Sequence, residues 1–256
     1  MGATDDRLQA MAQALGLLTR VPVPVRGAGV SGAALAWFPL VGAAIGGLGA
    51  SVWLAAGLLL PPGGTAVAAL ATTVAVTGAL HLDGLADSMD ALVGGGSPQQ
   101  RRALLDDPRH GTYGVAAVVL QVLAQWSLLA SLDPGAGAVA LVVAHSLGRA
   151  GAVWAMVGAR PFGAGLGAGV LRVLRASDVV VATASAVVVA LAVAGGWGSG
   201  LVVAAGVVAV TVSRWGQRRL DGVNGDVLGA AEQLTETVVL AGVVALAGRG
   251  VALPWW

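Results

Sequence analysis

Seven apolar segments of roughly membrane-spanning length divide most of this chain, and they restrict its fold more than any other feature. They are residues 34–60, 65–87, 113–131, 136–157, 178–194, 198–214 and 230–247. Of the 256 residues, 57% are hydrophobic and only 11% are charged, whereas a soluble domain carries about 25% charged residues. The sequence therefore predicts an all-α, polytopic membrane helical bundle over 34–247, within a single integral membrane domain, 1–256.

The residues before the first apolar segment predict a short helix on the membrane surface rather than a signal peptide. Asp5 and Asp6 stand where a signal peptide has basic residues. Apolar residues from Leu8 to Leu18 recur along one helical stripe, which is typical of a helix lying in the membrane interface. We expect this interfacial helix over residues 5–20.

Composition excludes several kinds of function. Because the chain contains no Cys, it has no disulfide, thiolate metal site or thiol nucleophile. Its net charge of +1 gives no reason to expect nucleic acid as a partner. The sequence has no Walker-type phosphate loop, so ATP hydrolysis by such a loop is not indicated. The remaining partners are the lipid bilayer and small molecules, and a homo-oligomer is left open.

The basic residues, all of them Arg, are confined to alternate connections between the segments. Those on one side are Arg7, Arg20, Arg26, Arg101, Arg102, Arg109, Arg160, Arg172, Arg175, Arg214, Arg218 and Arg219. The turns on the other side contain none, and only Arg249 follows the last segment. Under the positive-inside rule, the N-terminus and the long loops are cytoplasmic. We therefore expect a multi-pass protein of the cytoplasmic (inner) membrane, with its C-terminus outside and its active site facing the cytoplasm.

Three acidic residues directly follow the apolar stretch of the second segment. Asp83, Asp87 and Asp90 are spaced i, i+4 and i+7, so a helix that continues this segment places all three carboxylates on one face. An acid at the centre of a membrane helix costs about 2.5–3.5 kcal/mol, and Mg²⁺ prefers carboxylate oxygens. We predict a Mg²⁺ site at these three residues, with Asp83 and Asp87 also catalytic and Gly84 leaving an open notch for substrate. The alternative is a solvated helix end, which the helix dipole opposes.

A second acidic group opens the last apolar segment. Asp226 is a further candidate for metal binding and catalysis, and Glu232 a further catalytic candidate. Asn224 and Glu236 are candidates for substrate binding, since the glycine-rich approach lets backbone amides reach an anion. The alternative makes Asp226 a helix cap and Glu232 a first-turn acid, but it leaves Glu236 unexplained.

Two further places carry candidate substrate-binding residues. Arg109, in the loop before the third segment, is suited to clamping a phosphate bidentately, and Gly111 follows it. His145 and Arg149 are spaced i, i+4 inside the fourth segment. An Arg at that depth needs either an acidic cluster or a substrate phosphate as its partner, and a purely structural ion pair stays open. His81 lies off the acidic stripe, and we interpret it as structural.

Acidic clusters and isolated arginines at one membrane surface fit metal-assisted phosphoryl or nucleotidyl transfer. Two cations about 3.5–4 Å apart can clamp the attacking and the leaving oxygens of an in-line displacement. The number of ions and the identity of the general base stay open.

Residues 81–92, HLDGLADSMDAL, resemble the H-L-D-G-L-A-D-x-x-D-A/G-L signature of the cobalamin synthase family. The resemblance extends over most of the chain, with further motifs in the family's order at 18–24, 38–42, 107–114 and 224–236. The chain departs from the family pattern at Pro108, His110 and Asn224, and none of these differences replaces a carboxylate.

The resemblance implies a reaction and two small-molecule partners. The 5′-hydroxyl of α-ribazole, or of α-ribazole 5′-phosphate, attacks the cobinamide-side phosphorus of adenosylcobinamide-GDP. GMP leaves, and adenosylcobalamin or its 5′-phosphate forms, with Mg²⁺ required. The resemblance does not decide which form of α-ribazole is preferred.

Two other kinds of protein also place acids in a membrane bundle. A CDP-alcohol phosphotransferase needs Ala-Arg after the first Asp-Gly pair of its motif, whereas this chain has Leu85-Ala86 there. A proton-coupled transporter would explain buried acids, but it predicts activity across the membrane and no metal-dependent product. Both remain alternatives at this point.

Overall fold

The structure, a computed structural model, describes residues 3–25 and 29–250, and apart from one isolated β-bridge every regular element in these residues is a helix. The α-helices are α1 (Ala3–Leu18), α2 (Gly32–Leu35), α3 (Phe38–Ala56), α4 (Pro62–Thr77), α5 (Leu80–Val93), α6 (Pro98–Leu105), α7 (Thr112–Ala130), α8 (Pro134–Ala155), α9 (Leu166–Val173), α10 (Ala176–Ala194), α11 (Gly198–Leu220) and α12 (Gly225–Ala247). The all-α prediction is confirmed. Arg26 and the last six residues, which entered the orientation argument, lie outside the described residues.

Several described helices are long and apolar enough to cross a bilayer, as expected of a multi-pass membrane protein. There are five, or six if the bent pair α4 and α5 counts as one span. One of the five is the 45-residue stretch Ala176–Leu220. A straight helix of that length would measure about 68 Å, more than twice a bilayer core of about 30 Å. Because α10 and α11 pack against each other within it, counting two crossings there brings the total to seven, and that number stays a prediction.

α8 lies at the centre of the bundle, and nearly all of its residues are buried. α3 crosses it closely at Gly42 and Gly46, where an added Cβ would collide with the backbone carbonyls of His145 and Leu141. The small-xxx-small spacing of α3 therefore serves close helix packing. α12 packs on α8 in a similar way, since Gly148 leaves room for the side chains of α12.

The second apolar segment, 65–87, is not the one continuous helix expected from the sequence, because it is broken between α4 and α5. α4 ends at Gly78 in the left-handed conformation (φ 62°), and Ala79 is also left-handed (φ 59°). The amides of these two residues bond back to Ala75 O and Val74 O, which closes the helix end. α5 then leaves at 87° to α4. The acidic stripe consequently lies on a separate short helix.

The N-terminal helix, expected over residues 5–20, ends at Leu18 and packs against α2 and α3. Its buried residues are Ala10, Ala14 and Leu18, which recur every four residues along one face. The backbone amide of Arg20 then bonds to Val76 O (2.7 Å), near the end of α4. α1 thus forms part of the bundle wall, and its position at a membrane surface stays a prediction.

Candidate active site

The acidic stripe of α5 faces the loop that leads into α7. In that loop, His110 Nδ1 lies 3.2 Å from Asp87 Oδ1, and His110 Nε2 lies 3.8 Å from Asp83 Oδ1. Asp83 is in the first turn of α5, where the helix dipole favours a carboxylate. In one continuous helix, Asp83 would lie near the C-terminus, where the helix dipole opposes a carboxylate. The break after α4 places Asp83 near an N-terminus instead, so the dipole stabilises its negative charge.

α12 brings a third acid to the same place. An added Cβ on Gly84 would lie 3.0 Å from Asp226 O and 3.4 Å from Gly229 Cα, so α5 and α12 cross there in close contact. Asp226 consequently interacts electrostatically with Asp83 and Asp87. The open notch expected beside Gly84 is absent, because the backbone of α12 fills it. Gly84 instead brings two acidic motifs together that are far apart in the sequence.

The start of α12 is held by its own polar residues. Asn224 is the N-cap, and its Oδ1 accepts a hydrogen bond from the Val227 amide (3.2 Å). Asn224 Nδ2 donates to Asp226 Oδ2 (2.6 Å). Asn224, expected to bind substrate, therefore orients the Asp226 carboxylate, while Asp226 lies in the first turn of the helix.

Asp90 shares the helix face of the other two acids but has different partners. Its Oδ2 accepts a hydrogen bond from the Gly111 amide (2.6 Å), and its Oδ1 accepts one from the Gly114 amide (2.9 Å). These amides belong to the start of α7, where backbone donors have no partner within the helix. Asp90 and Gly111 thus hold α7 against α5, and neither the metal role of Asp90 nor the substrate role of Gly111 enters the proposal below.

A cavity of about 500 Å³ opens beside the acids. Its polar side chains include those of Asp83, Asp106 and Asp226, and Asp226 interacts electrostatically with the other two. The rest of the wall is mainly apolar and comes from α1, α3, α8, α9 and the glycine-rich loop 163–167. Ligand pockets are concave, largely apolar and about 300–1,000 Å³ in volume, with a few convergent polar groups. The cavity therefore has the features of a binding site for one small molecule.

A second polar cluster lies deep between α5, α8 and α12, and of its members only His81 also lines this cavity. The Arg149 guanidinium forms ion pairs with both Glu232 and Glu236. His145 pairs with Glu236, and His81 Nδ1 lies 3.2 Å from Glu232 Oε2. The partners of Arg149 in this structure are thus the two glutamates of α12. The substrate-binding roles expected for Arg149, His145 and Glu236 stay predictions.

Three glutamines add hydrogen bonds to this buried cluster. Gln233 Nε2 donates to Glu232 Oε2 (2.8 Å), and Gln125 Nε2 donates to Glu236 Oε2 (3.4 Å). Gln121 Nε2 donates to Gln233 O (2.7 Å), which ties α7 to α12. Buried charges are stable only when paired and hydrogen-bonded. The ion pairs and these contacts meet most of that requirement, although Arg149 Nε has no hydrogen-bond partner in the described part of the chain.

The two clusters differ in how they suit a metal ion. Among the described residues, the one group of three His, Asp or Glu side chains whose ligand atoms converge is His145, Glu232 and Glu236. Arg149 already supplies a positive charge to both of these glutamates, so an added dication would be repelled there. The acids at the cavity are half-buried or exposed and have no guanidinium partner among the ion pairs of the described residues. Mg²⁺ is commonly bound by one or two carboxylates and keeps several waters. The acids at the cavity can supply ligands of this kind.

Arg109 lies on the surface of the loop between α6 and α7, with its side chain 85% exposed. Its Nε and Nη2 donate to the two carboxylate oxygens of Asp107, at 2.9 and 2.8 Å. These hydrogen bonds lower the pKa of Asp107 to about 2. The Arg109 guanidinium therefore donates two hydrogen bonds side by side, and in this structure a carboxylate of the same loop accepts both.

Two residues at the candidate site have no role in the sequence analysis. The sequence shows His110 only as part of a charged loop and as a departure from the family pattern, whereas the structure brings it to both Asp83 and Asp87. Arg102 bonds through Nε to Leu220 O (2.7 Å) and lies 4.5 Å above the Phe162 ring, at the cavity wall. Its partners lie 60 or more positions away in the chain, so no local pattern could have indicated them. The charged loop carrying His110 was a weak signal in the sequence.

Comparison with known proteins shows which family of sequences this chain resembles. The family model of cobalamin-5-phosphate synthase matches residues 10–244. A protein of Ralstonia pickettii (strain 12J) is 36% identical over 96% of this chain and 98% of its own length. A protein of Bradyrhizobium diazoefficiens is 39% identical over 79% of each chain, and one of Herpetosiphon aurantiacus is 36% identical over 95% of this chain and 99% of its own. All three relatives are named adenosylcobinamide-GDP ribazoletransferase, and no solved structure matches this chain.

Proposed function

This chain belongs to the cobalamin-5-phosphate synthase family, and we propose that it joins α-ribazole, or α-ribazole 5′-phosphate, to adenosylcobinamide-GDP with release of GMP. The observation that carries the proposal is the meeting of two acidic motifs, from α5 and α12, beside one cavity. The curated relatives share a name that states the donor and the transferred ribazole group. The reaction is a substitution at phosphorus, and an acidic site beside a small-molecule cavity suits it.

In the proposed reaction the 5′-oxygen of α-ribazole forms a bond to the cobinamide-side phosphorus. The bond from that phosphorus to the oxygen of GMP breaks, and GMP leaves with the electron pair. The hydroxyl proton passes to a carboxylate of the cavity cluster, which is a typical task for a positioned acidic side chain. No oxidant or further reactant is required.

Asp83 and Asp87, with Asp226 beside them, are the residues we propose to hold Mg²⁺. The ion, when bound, neutralises charge on the diphosphate and on the leaving group. The protein's own contribution is positional. Gly84 sets the crossing of α5 and α12, Asn224 orients Asp226, and Asp90 fixes the loop that carries His110.

The proposal is tested with purified protein in detergent, supplied with adenosylcobinamide-GDP, α-ribazole and Mg²⁺. GMP should appear only when all three are present, in equal amount to the new corrinoid product, and chelation of the metal should stop it. Metal-independent release, or release without α-ribazole at the same rate, would contradict the proposal.

We also propose that the site faces the cytoplasm and that the chain spans the membrane seven times, with its N-terminus inside. Reporter fusions after Pro62 and Gly196 should report the outside, and fusions at Gly95 and Gly167 the inside, because the arginine-rich connections are retained in the cytoplasm. A cytoplasmic signal at Gly196 would contradict both the number of spans and the shared location of the site residues.

Arg109 and its loop are proposed to close over the donor diphosphate. Arg109→Lys keeps the charge but removes the bidentate fork, so we expect a several-fold higher KM for adenosylcobinamide-GDP and little change for α-ribazole. The donor should also protect the loop less from protease in the variant than in the wild type. The matched control is Arg160→Lys, since Arg160 is another exposed arginine paired with an aspartate and it does not line the cavity. Unchanged donor kinetics and unchanged protection would assign Arg109 to a structural pair with Asp107.

A further inference from the structure

The cavity beside the acids is lined by a few polar side chains and by many apolar ones. Its charged and amide side chains are Arg102, Asp83, Asp106, Asn224 and Asp226, joined by His81. The lining from α1, α3, α9 and the C-cap of α8 forms what we call the apolar wall: Leu17, Leu18, Phe38, Met156 and Val170. None of these five side chains contains nitrogen or oxygen. The ligand that fits is amphipathic, with an apolar body and a hydroxyl or phosphate end.

Size separates the two substrates of the proposed reaction. A cavity of about 500 Å³ accommodates one drug-sized molecule. α-Ribazole, a single base on one ribose, is of that size, whereas the donor joins a corrin ring to a nucleotide diphosphate and is far larger. α-Ribazole and the guanosine arm of the donor are therefore the two groups whose size matches this cavity.

The chemistry of the wall distinguishes these two occupants. Guanine carries amide and amino groups along its edge, and apolar side chains would leave those groups buried without partners. The benzimidazole-type base of α-ribazole is apolar along most of its edge. Its flat face also suits the Phe38 ring and the Met156 sulfur, because aromatic rings and thioethers pack favourably on aromatic faces.

We propose that this cavity is the acceptor subsite, with the base of α-ribazole against Phe38 and Met156 and its 5′-hydroxyl directed to Asp83 and Asp226. The corrin ring of the donor then stays outside, and only its diphosphate reaches the acids. This inference rests on the proposed function and adds which substrate occupies which part of the site.

The fold holds the apolar wall in a fixed place. Phe38 is buried at the first position of α3, and Pro39 restricts the backbone there. Four residues on, Gly42 packs against the backbone of α8, the helix that supplies Ala152 to the same cavity. The spacing between Phe38 and Ala152, which both line the cavity, is therefore set by the α3–α8 crossing.

The first test is Phe38→Leu, which keeps an apolar side chain and removes the ring. We expect the KM for α-ribazole to rise about threefold to tenfold, as loss of an aromatic contact implies, with the KM for adenosylcobinamide-GDP nearly unchanged. The control is Leu40→Val on the same helix, because Leu40 is exposed and does not line the cavity. A rise confined to the donor KM would place the guanosine arm in the cavity, and no change in either KM would leave the wall without a ligand. Either result would overturn the inference.

A second test narrows the cavity with Ala152→Leu and measures the binding of α-ribazole alone, without donor. Wild-type protein should bind α-ribazole saturably, and the variant should bind it at least about tenfold more weakly, since an overfilled pocket excludes its ligand. Thermal unfolding in detergent checks that the Ala152→Leu variant is folded. If it is not folded, the Phe38→Leu variant alone tests the subsite.

The outcomes separate the subsite from the proposed function. Saturable α-ribazole binding without any GMP release would contradict the proposed function but not the subsite. GMP release that is insensitive to both variants would contradict the subsite but not the function.

Discussion

Replacing Asp83 with Asn should abolish most turnover while the protein remains folded. Asp83 lies at the cavity with its side chain 67% exposed, so the substitution removes a charge and disturbs no packing. Loss of a group that stabilises developing charge typically lowers the rate by about 10²–10³. We expect kcat and kcat/KM for GMP release to fall together, as they do when the lost interaction acts in the transition state.

The control for this variant is Asp133→Asn. Asp133 caps α8 at the opposite end of the bundle, where its Oδ1 accepts a hydrogen bond from the Ala136 amide (2.9 Å). Asn is an equally good N-cap, so activity and stability should both be retained. Near-normal activity of Asp83→Asn at limiting Mg²⁺ would remove Asp83 from the metal site.

Replacing Arg149 with Met should destabilise the protein severely, whether or not substrate is present. The substitution leaves Glu232 and Glu236 as two buried carboxylates without their cation. Breaking a buried ion pair in this way costs about 3–5 kcal/mol, a large part of a typical stability of about 5–15 kcal/mol. Unfolding of the detergent-solubilised protein, followed by circular dichroism against temperature, measures the loss.

Two further variants show whether this destabilisation comes from the charge. Adding Glu232→Gln and Glu236→Gln to Arg149→Met removes the uncompensated charges, so part of the stability should return. Arg214→Met is the matched control, because Arg214 is exposed on α11 and its loss should change the unfolding temperature little. An Arg149→Met protein that unfolds like the wild type but no longer binds adenosylcobinamide-GDP would support the substrate-binding role expected from the sequence.

Much of the fold and part of the site follow from the sequence alone. Apolar length predicts the helices, because a residue's transfer free energy depends mainly on the residue itself. Spacing predicts that Asp83, Asp87 and Asp90 share one helix face, because the geometry of a helix is fixed by its backbone. The family follows from residues 81–92 and four more motifs in order, since such a combination rarely arises by chance.

Only the tertiary structure determines which of these residues meet. The left-handed pair Gly78 and Ala79 turns α5 away from α4, and this break depends on packing that no local pattern records. The crossing of α5 and α12 at Gly84 places Asp226 beside the α5 acids. Distant contacts of this kind are set by helix packing, so the sequence could name the acids but not their grouping.

Partners elsewhere in the bundle explain why other candidate residues, such as Arg149, Glu236 and Asp90, do not line the cavity. Arg149 and Glu236 satisfy each other in the interior, because an unpaired charge there would be costly. Asp90 bonds to the amides at the start of α7, which have no other backbone partner. The sequence thus determines which residues are polar, apolar or charged and how they are spaced along each helix. The packing of the helices decides which carboxylates remain available to a substrate, because it decides which of them already have partners.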